Sequence, residues 1–298
     1  MKLIDGKQTA QNIKSEIRAA VDEMISKGLR APHLVAVLVG EDGASQTYVG
    51  NKIRTCAEVG FRSTLKKFDD TISEEKLLEE ISALNNDDEV DGFIVQLPLP
   101  KHIDVSKVTE AILPSKDVDG FHPVNLGRMV EEMPSYVPAT PKGILQLLER
   151  YNIATEGKHC VVVGRSNIVG TPVSILLSRN TNPGNCTVTL THSRTVNLKS
   201  HTLQADILIA AIGRPYFITA DMVKEGAVVI DVGMTRVPAP ELKSGFRLAG
   251  DVDFKLVSEK CSYITPVPGG VGPMTIIGLL QNTLLAAQRS IYTESVSH

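Results

Sequence analysis

Two α/β domains, each a parallel sheet wrapped by helices, are what this sequence predicts, and three observations predict them. The chain has 298 residues, enough for two domains at about 150 residues each. Short, unbroken apolar runs alternate with segments of helical periodicity, and this alternation occurs twice along the chain. Apolar residues make up 42% and charged residues 22%, a composition that supports a buried core and excludes intrinsic disorder.

The elements follow in order. From Lys7 to Ser26, the apolar residues Ala10, Ile13, Ile17, Val21 and Met24 recur at three- and four-residue steps, and Gly28 stops the helix. Leu34 to Val39 is a continuous apolar strand closed by Gly40. A helix from Ala44 to Val59, a strand from Phe61 to Phe68 and a helix from Glu74 to Leu84 capped by Ser73 come next. The strand Gly92 to Val95 must end before Pro98 and Pro100, because proline removes a ladder donor. Pro114 to Pro141 carries five prolines and reads as a long functional loop. A helix from Pro141 to Tyr151 leads to a second series. Its strands are His159 to Val163, Thr187 to Thr191, Ile207 to Ala211 and Val228 to Val232, with a helix over Thr171 to Ser178. An apolar helix from Thr275 to Ser290 closes the chain. The domains are therefore expected at 1–140, completed by the C-terminal helix 275–298, and at 141–274.

Charge narrows the function. With 31 basic and 34 acidic side chains, the net charge is −3, so no bulk attraction draws the chain to nucleic acid or to an anionic membrane. Cys56, Cys160, Cys186 and Cys261 form no C-x-x-C pair, which points to free thiols in a reducing, cytoplasmic setting. No secretory h-region and no long apolar run is present. No His/Cys/Asp cluster has metal-ligand spacing, so no metal is expected.

Gly164-Arg165-Ser166-Asn167-Ile168-Val169-Gly170 lies between a strand and a helix. The setting suits a Rossmann-type turn, in which pyrophosphate meets a helix N-terminus. The spacing departs from G-x-G-x-x-G, and a plain strand-to-helix glycine turn accounts for the same residues. After the next strand, His192-Ser193-Arg194-Thr195 contains no carboxylate to bind a ribose hydroxyl. Arg165, Ser193 and Arg194 could instead hold a 2′-phosphate, favouring NADP over NAD. Solvent-facing arginines are the plainer reading.

In the first half, Tyr48 and Lys52 share one helical face at i and i+4. Gln96 ends a parallel strand, the edge where ligands gather in such sheets. Asp117 and Asp119 either build a turn or serve a site. In order, Tyr48-x-x-x-Lys52, Val95-Gln96-Leu97-Pro98-Leu99-Pro100, Lys116-Asp117-Val118-Asp119-Gly120, Thr140-Pro141-Lys142-Gly143, Val163-Gly164-Arg165-Ser166 with Val169-Gly170, and Pro266-Val267-Pro268-Gly269-Gly270-Val271-Gly272-Pro273-Met274-Thr275 closely resemble the bifunctional methylenetetrahydrofolate dehydrogenase/methenyltetrahydrofolate cyclohydrolase family. The resemblance runs from Leu3 to Arg289.

That resemblance implies two activities. One oxidises 5,10-methylenetetrahydrofolate with NADP, and the other hydrolyses the methenyl product to 10-formyltetrahydrofolate. It implies an active cleft between the domains, with Lys52 as the central catalytic group and Gln96 tuning its charge. Tyr48 would pack against the pterin, and Asp119 would accept its hydrogen bonds. Val95, Leu97 and the backbone wall of Pro268, Gly269, Gly270, Val271 and Gly272 would line the folate. Gly164, Arg165 and Ser166 would meet the cofactor phosphates, with Ser193 and Arg194 by the 2′-phosphate. Met234, where isoleucine is expected in relatives, would touch the cofactor through its backbone or by loose packing. The family implies a homodimer. Two rivals stay open on the residues alone: an NADP-dependent dehydrogenase of another small substrate, and a nucleotide-binding module without turnover.

Overall fold

The structure, a computed structural model, describes residues 1–242 and 245–292. Its elements in chain order are β1 (Lys2–Leu3), α1 (Gly6–Ser26), β2 (His33–Val39), α2 (Gly43–Glu58), β3 (Arg62–Phe68), α3 (Glu74–Asn85), β4 (Gly92–Val95), α4 (Val105–Ala111), α5 (Pro123–Val130) and α6 (Ala139–Arg150). There follow β5 (His159–Val163), α7 (Gly170–Ser178), β6 (Thr187–Thr191), α8 (Leu198–Thr202), β7 (Ile207–Ala210), β8 (Val228–Asp231), β9 (Thr235–Pro238), β10 (Phe246–Ala249), α9 (Phe254–Val257), β11 (Tyr263–Ile264) and α10 (Val271–Ala287).

Two compact units result. The three-stranded unit takes Asn12–Ala139 and the chain from Ile276 onward. Its sheet is parallel, in the order β3-β2-β4. The run His33–Val39 is buried at every residue, as a strand covered on both faces must be. Val35, Val37, Phe93 and Val95 pack there against Leu77, Ile81 and Leu84 of α3. Helix α1 buries its stripe of Ile13, Ile17, Val21 and Met24. The proline-rich stretch is not wholly loop. His122 caps α5 by accepting the Val124 N–H on Nδ1 at 3.0 Å, and Pro123 fills the first turn, where its missing donor costs nothing. Helix α4, capped by Asp104, is a second element that the sequence pattern does not announce. Buried Asn282 of α10 donates to the carbonyls of Val118 and Val137 at 2.8 and 2.9 Å, fixing the start and end of that stretch.

The six-stranded unit takes Met1–Gln11 and Thr140–Thr275. Its sheet runs β1-β11-β8-β7-β5-β6, every neighbouring pair parallel. From β5 the chain adds β6 on one side and β7 on the other, the switch of direction that defines a doubly wound sheet. Val161, Val163, Leu208, Ala210, Val229 and Ile264 build its core. The antiparallel hairpin β9–β10 is an addition to the expected strands. Helix α10 starts at Val271, four residues before the expected Thr275, with Pro273 in its first turn. The expected helix range 275–298 extends beyond α10, and its residues 293–298 lie outside the described residues.

Both sheets begin their central strand in the same way. His33 and His159 open β2 and β5, and each donates its backbone N–H to an aspartate just before a neighbouring strand, Asp91 at 2.7 Å and Asp206 at 2.9 Å. Each ring Nε2 meets the third residue of the other neighbouring strand, Thr64 and Thr189, both at 2.9 Å. Among the described residues, no helix is long and apolar enough to cross a membrane.

Candidate functional site

In the three-stranded unit, polar residues collect at the carboxyl ends of the strands. Asp42 caps α2 by accepting the Ser45 N–H at 2.7 Å, and the helix then presents Tyr48 and Lys52 one turn apart. Lys52 is only 4% exposed. Its Nζ lies 4.9 Å from the centroid of the Tyr48 ring and donates to Gln96 Oε1 at 3.3 Å. Gln96 leaves β4 directly. Its backbone N–H donates to the Val37 carbonyl at 2.9 Å, and its Nε2 to the Leu97 carbonyl at 2.7 Å. With both ends fixed, the amide oxygen faces the amine.

Burial pushes the Lys52 amine below the ordinary lysine range, and the negative charge of Asp119 opposes that shift. Burial likewise pushes the Asp119 carboxyl up, opposed by Lys52. The two groups are thus electrostatic partners, and burial favours the neutral form of the amine while the carboxylate opposes it. Cys56, one turn beyond Lys52, is a neighbour that motif spacing does not reveal. Burial pushes its thiol up to about 12, so it stays neutral and inert.

The two central aspartates divide the alternatives set out for them. Asp117 builds the turn: its carboxylate accepts the N–H groups of Phe121 and His122 at 3.2 and 2.8 Å and Nδ2 of Asn125 at 2.9 Å. Asp119 is the one coupled to Lys52. Val95, Leu97, Asp117 and Asp119 border a cavity of about 20 Å³, room for a single water.

In the six-stranded unit, the glycine turn leaves β5. Gly164 has φ +114°, and a Cβ there would collide with the Ala211 carbonyl; its N–H donates to the Thr191 carbonyl at 3.0 Å. A Cβ on Gly170 would strike the Gly164 carbonyl. Both positions therefore require glycine for close packing of turn and helix. Ser166 Oγ accepts the N–H groups of Val169 and Gly170 at 3.2 and 3.4 Å, organising the start of α7. At the end of the neighbouring β6, His192 Nδ1 accepts the Arg194 N–H at 3.1 Å. Arg165, Ser193 and Arg194 are exposed on these two adjacent loops, where an anion can reach them.

The proline–glycine segment belongs to this unit as well. Gly269 has φ +109°, and its carbonyl accepts the Lys7 N–H at 3.0 Å. Val271 and Gly272 are not part of the loop but open α10. A Cβ on Gly272 would sit 3.7 Å from Met234 Sδ, so the Met234 side chain reaches this segment. A larger cavity, about 330 Å³ and lined by Lys158, Asp206, Lys224 and Tyr263, lies at the amino ends of the strands and holds none of the expected site residues.

Known proteins resemble the chain over nearly its whole length. The family model for the tetrahydrofolate dehydrogenase/cyclohydrolase catalytic domain matches residues 4–119, and that for the NAD(P)-binding domain of the same family matches 138–291. The chain is 64% identical to the bifunctional protein FolD of Cytophaga hutchinsonii over 96% of its length and 99% of that protein. A solved structure of the FolD methylenetetrahydrofolate dehydrogenase/cyclohydrolase from Campylobacter jejuni matches with a TM-score of 0.91 and 46% identity, covering 97% of this chain and 99% of that one. The Trypanosoma brucei enzyme, solved with NADP cofactor and inhibitor, matches with a TM-score of 0.91 and 38% identity, over 97% and 98% of the two chains.

Proposed function

The chain belongs to the tetrahydrofolate dehydrogenase/cyclohydrolase family, and from that premise we propose that it oxidises 5,10-methylenetetrahydrofolate to 5,10-methenyltetrahydrofolate with NADP and hydrolyses that product to 10-formyltetrahydrofolate. The observation that carries this reading is the buried Lys52 amine, held by Gln96 at 3.3 Å beside the Tyr48 ring and coupled to Asp119.

The N-terminal domain of 1–140 with the C-terminal helix is assigned the folate chemistry, and 141–274 the cofactor. Asp119 accepts hydrogen bonds from the pterin amine and ring N–H, a paired contact that sets the orientation of the substrate. Tyr48 packs on the pterin, and Val95 and Leu97 line it. In the hydrolysis, water adds to the bridging carbon of the methenyl cation and loses a proton to neutral Lys52. The bond from that carbon to N5 then breaks as the remaining hydroxyl proton leaves and the C=O forms, with N5 taking a proton. One proton is released overall as the formyl group forms. Gln96 holds the amine in place and accepts one of its hydrogens, leaving the nitrogen lone pair for the water.

The six-stranded unit fits a 2′-phosphorylated dinucleotide. Its glycines let backbone approach the pyrophosphate, and no carboxylate stands among His192-Ser193-Arg194-Thr195 after β6. Gly164, Arg165 and Ser166 take the phosphates, Ser193 and Arg194 the 2′-phosphate, and Met234 touches the cofactor by its backbone or by loose packing. Bound NADP supplies the hydride acceptor. We read the protein as a cytoplasmic homodimer; its four free, buried cysteines support a reducing compartment, and the dimer rests on family resemblance.

The test is a steady-state assay with methylenetetrahydrofolate and either NADP or NAD, followed by decay of added methenyltetrahydrofolate. NADPH formation and accelerated decay are expected; a purified protein that yields neither overturns the reading.

A further inference from the structure

Two carboxylates in the six-stranded unit are buried and take no part in the roles assigned above. Asp231 ends β8 and is 3% exposed; Asp251 follows β10 and is fully buried. Neither is solvated, so each must be satisfied by the protein. Asp251 accepts three consecutive backbone amides. Its Oδ2 takes the N–H of Ile212 at 2.7 Å and of Gly213 at 3.0 Å, and its Oδ1 takes that of Arg214 at 2.7 Å. These three residues form the loop that leaves β7. Asp231 Oδ1 accepts the N–H of Gly233 at 3.0 Å and of Asp251 at 2.9 Å, and Oδ2 that of Val252 at 3.0 Å. The Asp231 N–H donates to Thr265 Oγ1 at 2.7 Å, one residue before the proline–glycine segment.

The carboxylate pair thus ties the loops beyond β7 and β8 to the turn after β10, and the Asp231 backbone joins them to Thr265 beyond β11. The packing leaves no slack: a Cβ on Gly233 would collide with the Asp251 carboxylate, and one on Gly250 with that of Asp231. These loops lie at the carboxyl edge of a doubly wound sheet, across the switch point from the glycine turn, where the second half of a dinucleotide rests. We propose that Asp231 and Asp251 are positioning residues for the cofactor: they touch no ligand, and they fix loops 211–214 and 232–234 in the binding geometry before NADP arrives. This rests on the reading of the unit as an NADP site.

Asp251→Asn is the sharpest test. An amide keeps the shape but turns one acceptor into a donor facing the loop N–H groups. The variant should raise KM for NADP about tenfold or more, the effect of losing one charge-assisted hydrogen bond, and slow oxidation. Hydrolysis of methenyltetrahydrofolate without NADP should stay at the wild-type rate. Hydrogen exchange on the wild type gives a second readout that needs no variant to fold: the amides of Ile212, Gly213, Arg214 and Gly233 should be protected before NADP is added. An unchanged NADP KM, an equal loss of both activities, or fast exchange of these amides in the free protein overturns the proposal. A wild type that hydrolyses methenyltetrahydrofolate but binds no NADP overturns the cofactor reading, and this proposal with it.

Discussion

The two parallel sheets start alike and finish differently. At their amino edges, His33 with Asp91 and Thr64 repeats His159 with Asp206 and Thr189, down to the positions in the strands. Their carboxyl edges share nothing of the kind. The three-stranded unit ends in long polar side chains: Gln96 on the strand, and Lys52 brought in by the flanking helix. The six-stranded unit ends in glycine and in backbone amides, held by Ser166 on one side and Asp251 on the other. The amino edges serve the fold, so one solution suffices for both. In the proposed function, ligands meet the carboxyl edges, one served by the long side chains of Lys52 and Gln96, the other by main-chain amides together with Arg165 and Arg194.

Substitutions at the two edges can break this comparison. The largest effect is expected from Lys52→Met. It should lower methenyltetrahydrofolate hydrolysis about a hundred- to ten-thousand-fold, the usual worth of a proton-transfer group, while the dissociation constant for NADP stays unchanged. Weakened NADP binding in this variant would show that the edges do not work independently.

Next comes the double variant Arg165→Ala with Arg194→Ala. It removes two charge-assisted hydrogen-bonding groups, each worth about 1.5–3 kcal/mol, and should cut the NADP-to-NAD ratio of specificity constants about a hundredfold or more. NAD turnover and hydrolysis should hold at fixed ionic strength. A ratio that survives would mean the main chain alone reads the cofactor.

Asp119→Ala should cost about 1.5–3 kcal/mol of substrate binding, raising the KM for folate about tenfold to a hundredfold in both assays. A loss in only one assay would assign it to that reaction rather than to the shared substrate. The smallest effects belong to the amino edges. Asp91→Ala and Asp206→Ala should each lower stability, by about 1.5–3 kcal/mol at most, with both activities intact. The Asp91 side chain is 8% exposed and that of Asp206 33%, so the urea midpoint should fall further for Asp91.

Much of this plan is legible in the sequence. Central strands such as His33–Val39 are unbroken apolar runs because both faces are covered, and the glycines of the turn at 164–170 mark positions that admit no side chain. Lys52 and Gln96 are 44 residues apart, and only the order of the family's motifs connects them. The helix at Pro123–Val130 is hidden because prolines signal breaks, whereas Pro123 sits at a first turn and His122, an uncommon cap, precedes it. Asp231 and Asp251 are inconspicuous for a different reason. Each looks like any loop aspartate until the hairpin β9–β10 returns the chain and buries one beside the other.

The short strand β1 carries a consequence for how the chain is made. Lys2 and Leu3 pair with Tyr263 and Ile264, so β1 waits for a partner strand made about 260 residues later. At about 5–20 residues per second of synthesis, that wait is roughly ten to fifty seconds, in which the three-stranded sheet can close while the other stands without its edge. Strand β1 therefore acts as a latch set late in biogenesis, and substitutions that weaken its pairing with β11 should slow maturation more than they disturb the finished enzyme.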